Sequence, residues 1–370
     1  MRLSARPRPR RSALGEEVEP GGKTVQLSCV PDLAPALDTV AERSAETHRF
    51  LRYGWYAAAL AAYGGTARTL VVGEAGLSVA ALPLVDKGPR WLGLAEIPGC
   101  YWPFRSFPVA EGASPAAAEA LLAALARQVR ALRIGPISDD DPALAWLKVQ
   151  ALAQGWTVLD RFVAHCYLLD IGVPAAEGGW PRGSTLRKNR YFEKHLAREG
   201  KLDWTWGSLR FDDLADIERR SWIASRTDGR DAKFTVDGHG AFFGAAARDP
   251  VVAGMMSAAV LRIDGRPMAF SFDLVTGARS YAIANSYDPE LARHSPGRVL
   301  QYRNLARARE QGVRLVDWGA GDSGYKRTMG AVQGPALRDW IFVRPGLAGL
   351  AARWLRGAWR RSGQDEGVSA

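Results

Sequence analysis

The sequence predicts an α/β (α+β) fold of two modules in tandem, each a mixed, mostly antiparallel twisted sheet flanked by helices. Three observations carry this prediction. The chain has 370 residues, which is enough for two domains of ordinary size. Its hydrophobic content of 47% and its charged content of 24% are typical of a globular protein. The order helix, hairpin strands, helix, strand also reads twice along the chain.

Shifts in composition divide the chain into five parts. The first dozen residues hold five arginines with no apolar segment behind them, which predicts a disordered tail and not a secretory signal. A later Gly- and Pro-rich stretch without periodicity predicts a linker. The predicted parts are a basic tail at 1–24, an N-terminal module at 25–171, a linker at 172–183, a C-terminal module at 184–345, and a basic amphipathic helix with its tail at 346–370.

Charge and cysteine content limit the class of protein. The formal net charge of +10 predicts an anionic partner: a nucleotide cofactor, a nucleic acid, a phosphorylated substrate or an anionic lipid surface. The three cysteines are too widely spaced for a disulfide framework or a zinc site, which favours a reducing cytoplasm. The five histidines form no ligand pair, so no metal is expected. No apolar run approaches about 18 residues, so no membrane span is predicted.

The N-terminal module reads as helices alternating with strands. A hairpin is expected around the turn at 74–76, and an aromatic loop at 99–104 reads as a packed loop in preference to part of a substrate groove. Asp141 precedes Pro142 and predicts a capped helix start. The predicted helices are 44–63, 115–132 and 143–154, and the predicted strands are 69–72, 77–85, 157–159 and 165–169.

The C-terminal module begins with a basic helix and continues as a β-meander. Asp264-Gly265 is a strong hairpin signal. The predicted helices are 184–197, 211–225, 240–247 and 295–312, and the predicted strands are 202–206, 254–263, 267–274, 279–286, 313–318 and 339–343.

The start of the helix at 295–312 is a candidate phosphate site. Ser295 is a good N-cap residue, and Pro296 suits the first helical position because its missing N–H would have no partner there. Free backbone N–H groups and the positive end of the helix dipole attract anions, and Arg298 is close by. An ordinary capped helix is the alternative. Nothing in the first module is expected to match this Ser-Pro-Gly start.

Two basic segments also have two interpretations each. The helix at 184–197 carries Arg187, Lys188 and Arg190, which predict either a solvated helical face or a clamp on an anionic substrate. The helix at 346–361 has apolar residues on one side and arginines largely elsewhere. This pattern predicts either contact with an anionic membrane surface or docking of the helix on its own domain.

A set of short motifs in the second half resembles a known family. The motifs occur in the order found in the BioF2-like (CelD/BcsL-type) acetyltransferase domain of the GNAT fold, which is related to the Fem peptidoglycan aminoacyl transferases with two GNAT-like modules. The resemblance is densest over 180–330, and the first half matches by element order only. The motifs are Ile-Asp-Gly-Arg-Pro-Met-Ala at 263–269, Tyr-Asp-Pro at 287–289, Ser-Pro-Gly at 295–297, Val-Asp-Trp-Gly at 316–319 and Gly-Asp-Ser-Gly-Tyr-Lys at 321–326.

The resemblance implies transfer of an acyl group to an amine or hydroxyl, with acetyl-CoA as the donor. In GNAT enzymes the CoA pyrophosphate lies on the start of the central helix. That start maps here onto Ser295, Pro296, Gly297 and Arg298. The chain departs from the usual Gly-rich pattern, because it has one Gly and a Pro, and the Pro removes one backbone donor.

The resemblance also implies catalytic and substrate-binding residues. An aromatic-Lys pair in the Fem relatives corresponds to Tyr325-Lys326. The Lys326 ammonium would stabilise developing charge, Tyr325 would return a proton to the leaving thiolate, and Asp322 would accept the proton of the amine. Local turn chemistry is the alternative for Asp322. The expected substrate-binding residues are Arg187, Lys188, Arg190 and Tyr287.

Three functions compete at this point. The first is an acyl-CoA-dependent N-acyltransferase acting on a small or lipid-linked amine, such as an amino sugar or another cell-envelope or exopolysaccharide precursor. The second is a Fem-like transferase that uses aminoacyl-tRNA, which the positive charge would suit. The third is a non-catalytic GNAT-like scaffold in a polysaccharide-synthesis complex. The expected location is cytoplasmic or peripheral at the inner face of the membrane, and DNA is not expected as a partner.

Overall fold

A computed structural model describes residues 24–224, 232–235, 238–322 and 324–364. The predicted tail at 1–24 therefore lies outside the described residues except for its last residue. The described strands form one twelve-stranded sheet. They are β1 (Val25–Pro31), β2 (Ala67–Glu74), β3 (Leu77–Asp86), β4 (Leu94–Glu96), β5 (Ala131–Ser138), β6 (Thr157–Asp170), β7 (Leu202–Trp206), β8 (Met256–Ile263), β9 (Arg266–Thr276), β10 (Arg279–Tyr287), β11 (Leu315–Ala320) and β12 (Val332–Val343).

Helices flank this sheet and connect its strands. They are α1 (Ala36–Glu42), α2 (Tyr53–Tyr63), α3 (Pro115–Gln128), α4 (Pro142–Ala153), α5 (Gly183–Leu196), α6 (Phe211–Arg220), α7 (His239–Ala246), α8 (Pro250–Met255), α9 (Pro296–Glu310), α10 (Tyr325–Met329) and α11 (Leu347–Arg361). Within the described ranges, no helix combines the length and the apolar character needed to cross a bilayer.

The strand order reveals two half-sheets of the same design. The order across the sheet is β1-β2-β3-β4-β5-β12-β6-β11-β10-β9-β8-β7. We call β1 to β5 the N-terminal half-sheet and β7 to β11 the C-terminal half-sheet. Each is an antiparallel meander that ends in one parallel pair, β4 with β5 and β10 with β11. The two halves run in opposite directions across the sheet.

The two half-sheets exchange their last strands. β6 follows β5 and α4 in the chain, yet it pairs with β11. β12 follows β11 in the chain, yet it pairs with β5. β6 and β12 also pair with each other, from Val332 opposite Leu168 to Val343 opposite Thr157. Each half-sheet is thus completed by a strand from the other half of the chain. The predicted module boundaries stay a prediction.

A shared hydrophobic core joins the two halves. Its largest cluster of buried residues includes Trp55 and Phe50 from the first half and Phe242 and Phe243 from the second. The rings of Trp55 and Phe242 meet edge to face, with centroids 4.7 Å apart, where α2 packs against α7. Burying one large apolar side chain contributes about 1.5–3 kcal/mol, so these contacts bind the halves firmly.

Several sequence expectations are confirmed in outline. The hairpin of β2 and β3 forms around Ala75-Gly76, and the Asp264-Gly265 turn joins β8 to β9. Both Asp264 and Gly265 have positive φ, as a two-residue hairpin turn requires. The side chain of Asp141 caps α4 by accepting from the Leu144 N–H.

Other expectations are wrong. No single helix spans 44–63, because the chain forms a 3-10 turn at Glu46–His48, turns again while burying Phe50 and Leu51, and enters α2 only at Tyr53. The strands predicted at 157–159 and 165–169 form the continuous strand β6. β1 was not foreseen.

The first module does contain a counterpart of the Ser-Pro-Gly helix start, contrary to the sequence expectation. α3 joins β4 to β5 as α9 joins β10 to β11, and α3 begins with Ser114 and Pro115. The match was missed because the third residue is alanine.

Candidate active site

The parallel strands β10 and β11 separate after three paired positions. The last pair is Tyr281 opposite Asp317. Beyond it, β10 continues to Tyr287 against β9, with a bulge between Ala282 and Ala284. β11 turns instead along β6, where Ala320 lies opposite Cys166. We call the wedge between 282–287 and 318–320 the strand gap. Beyond Tyr281, β10 has no strand beside it on this side within the described residues, and an extended amide ligand can pair with such a strand edge.

The strand gap leads from its vertex at Tyr281 to the start of α9. Tyr287 ends β10, and its ring lies on Gly297 so closely that a Cβ built on Gly297 would be 2.8 Å from a ring carbon. Only glycine permits this approach. Pro296 has no N–H, so Gly297 and Arg298 present the first N–H groups of the helix, which have no partner inside it. The α9 start therefore offers two donors beside the open end of the gap.

Ser295 does not cap α9 with its side chain, which corrects the sequence expectation. Its backbone is left-handed, with φ 49° and ψ 53°, and its hydroxyl makes no capping hydrogen bond. A capping residue needs an extended backbone to aim its oxygen at the following N–H groups, and this residue lacks one. The helix start is consequently left open.

Basic side chains surround the α9 start. Arg293 and His294 both contact Glu199, at 3.0 and 2.9 Å, and these hydrogen bonds lower the pKa of the Glu199 carboxyl. Arg298 is half-buried, and its Nε is buried with no hydrogen-bond partner among the described residues. Arg298 therefore retains donor capacity for an anion at the helix start.

Lys326 holds the turn that follows β11. Its Nζ donates to the carbonyl oxygens of Gly319, Ala320 and Gly321 at 3.2, 2.9 and 2.7 Å. The residue is only 5% exposed, and burial lowers the pKa of its ammonium to about 8. Below the same turn, burial raises the pKa of Asp317 to about 6, and Asp317 accepts from the Gly319 N–H. The ammonium thus fixes backbone carbonyls at one side of the strand gap.

Tyr325 reaches across the strand gap. Its hydroxyl oxygen accepts from the Asn285 side-chain amide on β10 at 3.2 Å, and its ring centroid is 5.3 Å from that of Trp318 on β11. It is 41% exposed. The hydroxyl therefore lies at the mouth of the gap, where solvent and ligands can meet it.

Asp322 takes part in turn contacts. Its Oδ1 accepts from the Gly324 N–H at 2.8 Å, and its Oδ2 is 2.5 Å from the Arg327 Nε. These are the local contacts expected of an Asp beside glycine. The catalytic roles assigned to Asp322, Tyr325 and Lys326 stay predictions.

The expected substrate-binding residues are not all together. Tyr287 lies at the α9 start with Gly297. Arg187, Lys188 and Arg190 are exposed on α5, which packs against α9 and the 3-10 turn Pro289–His294. Among the described residues these three cations have no ion-pair partner. They form a free basic surface behind the helix start.

Sequence reasoning missed a polar cluster between the halves. The Tyr63 hydroxyl lies 2.8 Å from the His239 Nδ1, and Lys233 hydrogen-bonds the hydroxyl of Tyr101. The Cys100 Sγ is 3.9 Å from the same His239 nitrogen. Burial lowers the pKa of both Lys233 and His239. No sequence signal joins these residues, because they come from segments more than 130 positions apart.

A second missed residue is Trp102. The aromatic loop at 99–104 was expected to be packed, and Trp102 and Phe104 are indeed buried. Trp102 also crosses into the other half of the molecule, where its Nε1 donates to the Ala282 carbonyl of β10 at 3.0 Å. The concentration of aromatic residues was the available signal, but it did not indicate where the indole goes. In the part of the chain that the structure describes, no group of three or more His, Cys, Asp or Glu residues is arranged to hold a metal.

Comparison with known proteins agrees with this architecture. Residues 183–327 match the family model described as an acetyltransferase (GNAT) domain. No curated protein matches the chain. The crystal structure of FemX is similar at 13% identity, over 89% of this chain and 100% of that one, with a TM-score of 0.59. A conserved protein of unknown function from Bacteroides thetaiotaomicron VPI-5482 is similar at 13% identity, over 85% and 98%, with a TM-score of 0.56. Identities this low show a shared fold, and the predicted fold class is confirmed.

Proposed function

Residues 183–327 form a GNAT acetyltransferase domain and the chain is an acyltransferase; from this premise we propose that it transfers an acetyl group from acetyl-CoA to an amine of an amino sugar or another cell-envelope or exopolysaccharide precursor. The observation that carries the proposal is the strand gap, which opens between β10 and β11 and ends at the unpartnered N–H groups of Gly297 and Arg298.

The strand gap and the α9 start lie side by side, as the pantetheine arm and the pyrophosphate do in CoA. The pantetheine arm contains two amides, which can pair with the edge of β10 beyond Ala282, where no described strand lies beside β10 on the β11 side. The pyrophosphate would then lie on the α9 start, where backbone donors and the helix dipole favour an anion. Arg298 supplies a charged side chain at the same place. This direction brings the thioester towards the vertex of the gap.

The transfer needs one nucleophile and two proton movements. The amine nitrogen attacks the thioester carbon, a C–N bond forms, and the carbonyl oxygen gains negative charge. When this intermediate collapses the C–S bond breaks, and its electron pair leaves with the sulfur. The amine loses one proton, which we assign to Asp322 through a bound water. We assign the proton that the thiolate gains to Tyr325, whose hydroxyl accepts from Asn285 on the β10 edge of the gap. Lys326 keeps the turn carbonyls in place by its three hydrogen bonds.

The donor is tested by thermal unfolding with acetyl-CoA, CoA and adenosine diphosphate. A ligand at about 100 times its dissociation constant stabilises the native state by about 2.7 kcal/mol, which appears as a raised melting temperature. We expect acetyl-CoA and CoA to raise it, and adenosine diphosphate to raise it less because that ligand lacks the pantetheine arm. If neither CoA species shifts the transition, the proposal is wrong. Release of free thiol with a panel of amino sugars then identifies the acceptor.

The second candidate is an aminoacyl-tRNA-dependent transferase. It is favoured by the free basic surface of Arg187, Lys188 and Arg190 on α5, because exposed cations without partners can neutralise phosphates. Binding of tRNA that falls steeply as salt rises, and that is lost when the three residues are changed to glutamate, would support it. If the protein does not bind tRNA even at low salt, this candidate is wrong.

We also propose that α11 contacts an anionic membrane surface. The helix packs on the sheet through its small residues Gly349 and Ala352, which are buried. Trp359 also packs inwards. Three other large apolar residues face outwards instead, with Leu347 87%, Trp354 90% and Leu355 61% exposed. Arginines at 353, 356, 360 and 361 accompany this face. An exposed apolar face with flanking cations suits a layer of anionic lipid headgroups.

Vesicle sedimentation tests this contact. We expect the protein to sediment with vesicles containing anionic phosphatidylglycerol more than with neutral phosphatidylcholine vesicles, and the double variant Leu347→Ser with Trp354→Ser to stay in the supernatant. The two changed residues are exposed, so the variant should keep the melting temperature of the parent. Equal sedimentation of parent and variant would contradict the proposal.

A further inference from the structure

The aromatic loop of the first half enters the site of the second half. The loop follows β4, and it is fixed to its own half by the Arg105 N–H, which donates to the Pro136 carbonyl at 3.1 Å. From this anchor, Trp102 projects towards β10 and β11 and is only 7% exposed. The site therefore includes a side chain that lies outside the matched acetyltransferase domain.

The indole of Trp102 closes the vertex of the strand gap. Its Nε1 donates to the carbonyl of Ala282, the first residue of β10 beyond the last pair with β11. On the β11 side, a Cβ built on Gly319 would lie 3.1 Å from a carbon of the indole. The ring thus lies between the two strands at the point where they begin to diverge.

We infer that Trp102 limits the length of the acyl group that the site accepts, so that acetyl fits and longer chains do not. This inference rests on the proposed function, because it takes acyl-CoA as the donor. With the pyrophosphate at the α9 start, the pantetheine arm runs along the gap from Tyr287 towards Ala282. The acyl group is then the leading end, and the indole is the first group that it meets.

The indole cannot move aside easily. Besides its hydrogen bond, it packs edge to face on Tyr281, with ring centroids 6.1 Å apart. Phe104 of the same loop packs on Tyr281 as well, at 5.7 Å. Close-packed interiors yield little to added volume, so each further methylene would have to displace this aromatic group. Discrimination of about tenfold or more for a single methylene is typical of such pockets.

Gly319 allows the indole of Trp102 to lie close to β11. Its φ is +75°, which favours glycine, and a Cβ there would press on the indole at 3.1 Å. Its carbonyl is held by Lys326. The turn that carries the predicted catalytic residues and the indole that closes the gap are therefore in direct contact.

Titration calorimetry with acyl-CoAs of increasing length tests the inference without a known acceptor. The probes are acetyl-CoA, butanoyl-CoA and octanoyl-CoA. We expect the parent protein to bind octanoyl-CoA at least about tenfold more weakly than acetyl-CoA, and Trp102→Ala to remove or reverse that difference. Trp102→Phe, which keeps most of the bulk, should lie between them.

Trp340→Ala is the matched control. Trp340 is also 7% exposed, but it lies on β12 opposite β5, away from the strand gap. Trp340→Ala should leave the ratio of octanoyl-CoA to acetyl-CoA affinity unchanged. A change of this ratio in Trp102→Ala alone would therefore come from opening of the gap and not from general loosening of the fold. Circular dichroism establishes that each variant is folded. If Trp102→Ala does not fold, the same ratio in Trp102→Phe and Trp102→Leu decides.

The outcomes separate the two proposals. An unchanged ratio of octanoyl-CoA to acetyl-CoA affinity in the folded Trp102 variants overturns the length limit alone. Equal binding of both donors by the parent protein also overturns it. Failure of the parent to bind any of the three donors overturns the proposed function, and the length limit with it.

Discussion

The helix starts of α3 and α9 occupy equivalent places in the two half-sheets, yet one is closed and the other is open. α3 begins with Ser114-Pro115, and the Ser114 hydroxyl accepts from the Ala117 N–H. The Glu74 carboxylate also accepts from the Ser114 N–H and hydroxyl. α9 begins with Ser295-Pro296, but its Ser295 side chain makes no cap. The first half therefore supplies its own anion at the helix start, whereas the second has no side-chain cap there from Ser295.

The buried faces of α3 and α9 also differ, because that of α3 is apolar and that of α9 contains polar residues. The buried residues of α3 are all alanine and leucine. α9 buries Gln301 and Asn304, and the Asn304 amide donates at 2.7 Å to Asp273 on β9. An apolar face serves stability alone, whereas buried polar groups must be paired and add little to stability. The comparison teaches that two equivalent helices in one sheet can differ in polarity, and that the polar helix, α9, is the one whose N-cap residue makes no side-chain cap.

The largest expected effect comes from filling the open helix start. Gly297→Val places a branched side chain where a Cβ would already be 2.8 Å from the Tyr287 ring, and it also covers the N–H donors. We expect about 100-fold weaker binding of acetyl-CoA, equivalent to about 2.7 kcal/mol. The control is Ala116→Val at the equivalent, exposed position of α3. Calorimetry that finds equal affinity in both variants would remove the distinction between the two starts.

A smaller effect is expected from removing the charge that holds the turn after β11. Lys326→Met leaves three carbonyls without their donor, so we expect the free energy of unfolding to fall by about 1–3 kcal/mol and turnover to fall with it. Lys148→Met is the control, because that ammonium lies on the Trp340 ring at 4.1 Å, outside the gap. Similar losses of turnover in both variants would argue against a special role for Lys326.

The same lysine predicts a pH dependence. Burial lowers the pKa of Lys326 to about 8 from its ordinary 10.5, so the fold disfavours the charged form. The unfolded chain binds more protons between these values, and stability contributed by this group must rise as pH rises from about 8 to 10.5. Denaturant unfolding should show this rise in the parent protein and not in Lys326→Met.

The capping difference predicts a change of about 1 kcal/mol. Ser114→Ala removes the cap of α3 and leaves Glu74 without its hydroxyl donor, so stability should fall by about that amount. Ser295→Ala removes no capping bond and should change stability by less than about half as much. Denaturant unfolding measures both. Equal losses would mean that the α9 start is capped in solution.

A second pH dependence, at lower pH, concerns the buried carboxyl beneath α9. Burial raises the pKa of Asp273 to about 6 from its ordinary 3.8, although Asn304 and Ser271 lower it. The fold therefore favours the protonated form, and this contribution to stability is lost as pH rises from about 4 to 6. Asp273→Asn should flatten that slope in part, since Asp317 has the same shift. An unchanged slope would show that Asp273 does not titrate in this range.

The local sequence was enough to predict much of the fold, since turns and helix ends depend on neighbouring residues. Asp264-Gly265 predicted its hairpin because few other residues accept positive φ at both positions. The Ser-Pro-Gly motif located the α9 start. The same local reasoning assigned Ser295 a cap that its left-handed backbone prevents, because backbone conformation there depends on the preceding 3-10 turn.

The features that the sequence did not predict depend on contacts between distant segments. Trp102 and Ala282 are 180 positions apart, and no periodicity indicates that an indole from one half enters the other. The exchange of β6 and β12 was missed for the same reason. Both strands have the expected composition, but strand partners are set by packing across the sheet and not by the residues of the strand.

The exchange of last strands has a consequence for synthesis on the ribosome. β5 is complete once residue 138 has been made, but its neighbour β12 ends at residue 343. Because chains are made from the N-terminus, the β5 edge of the N-terminal half-sheet has no β12 partner until residue 343 has been made. A nascent chain that stops at the linker would display this edge to other chains. The N-terminal half-sheet can therefore be completed only after the second half of the chain has been translated.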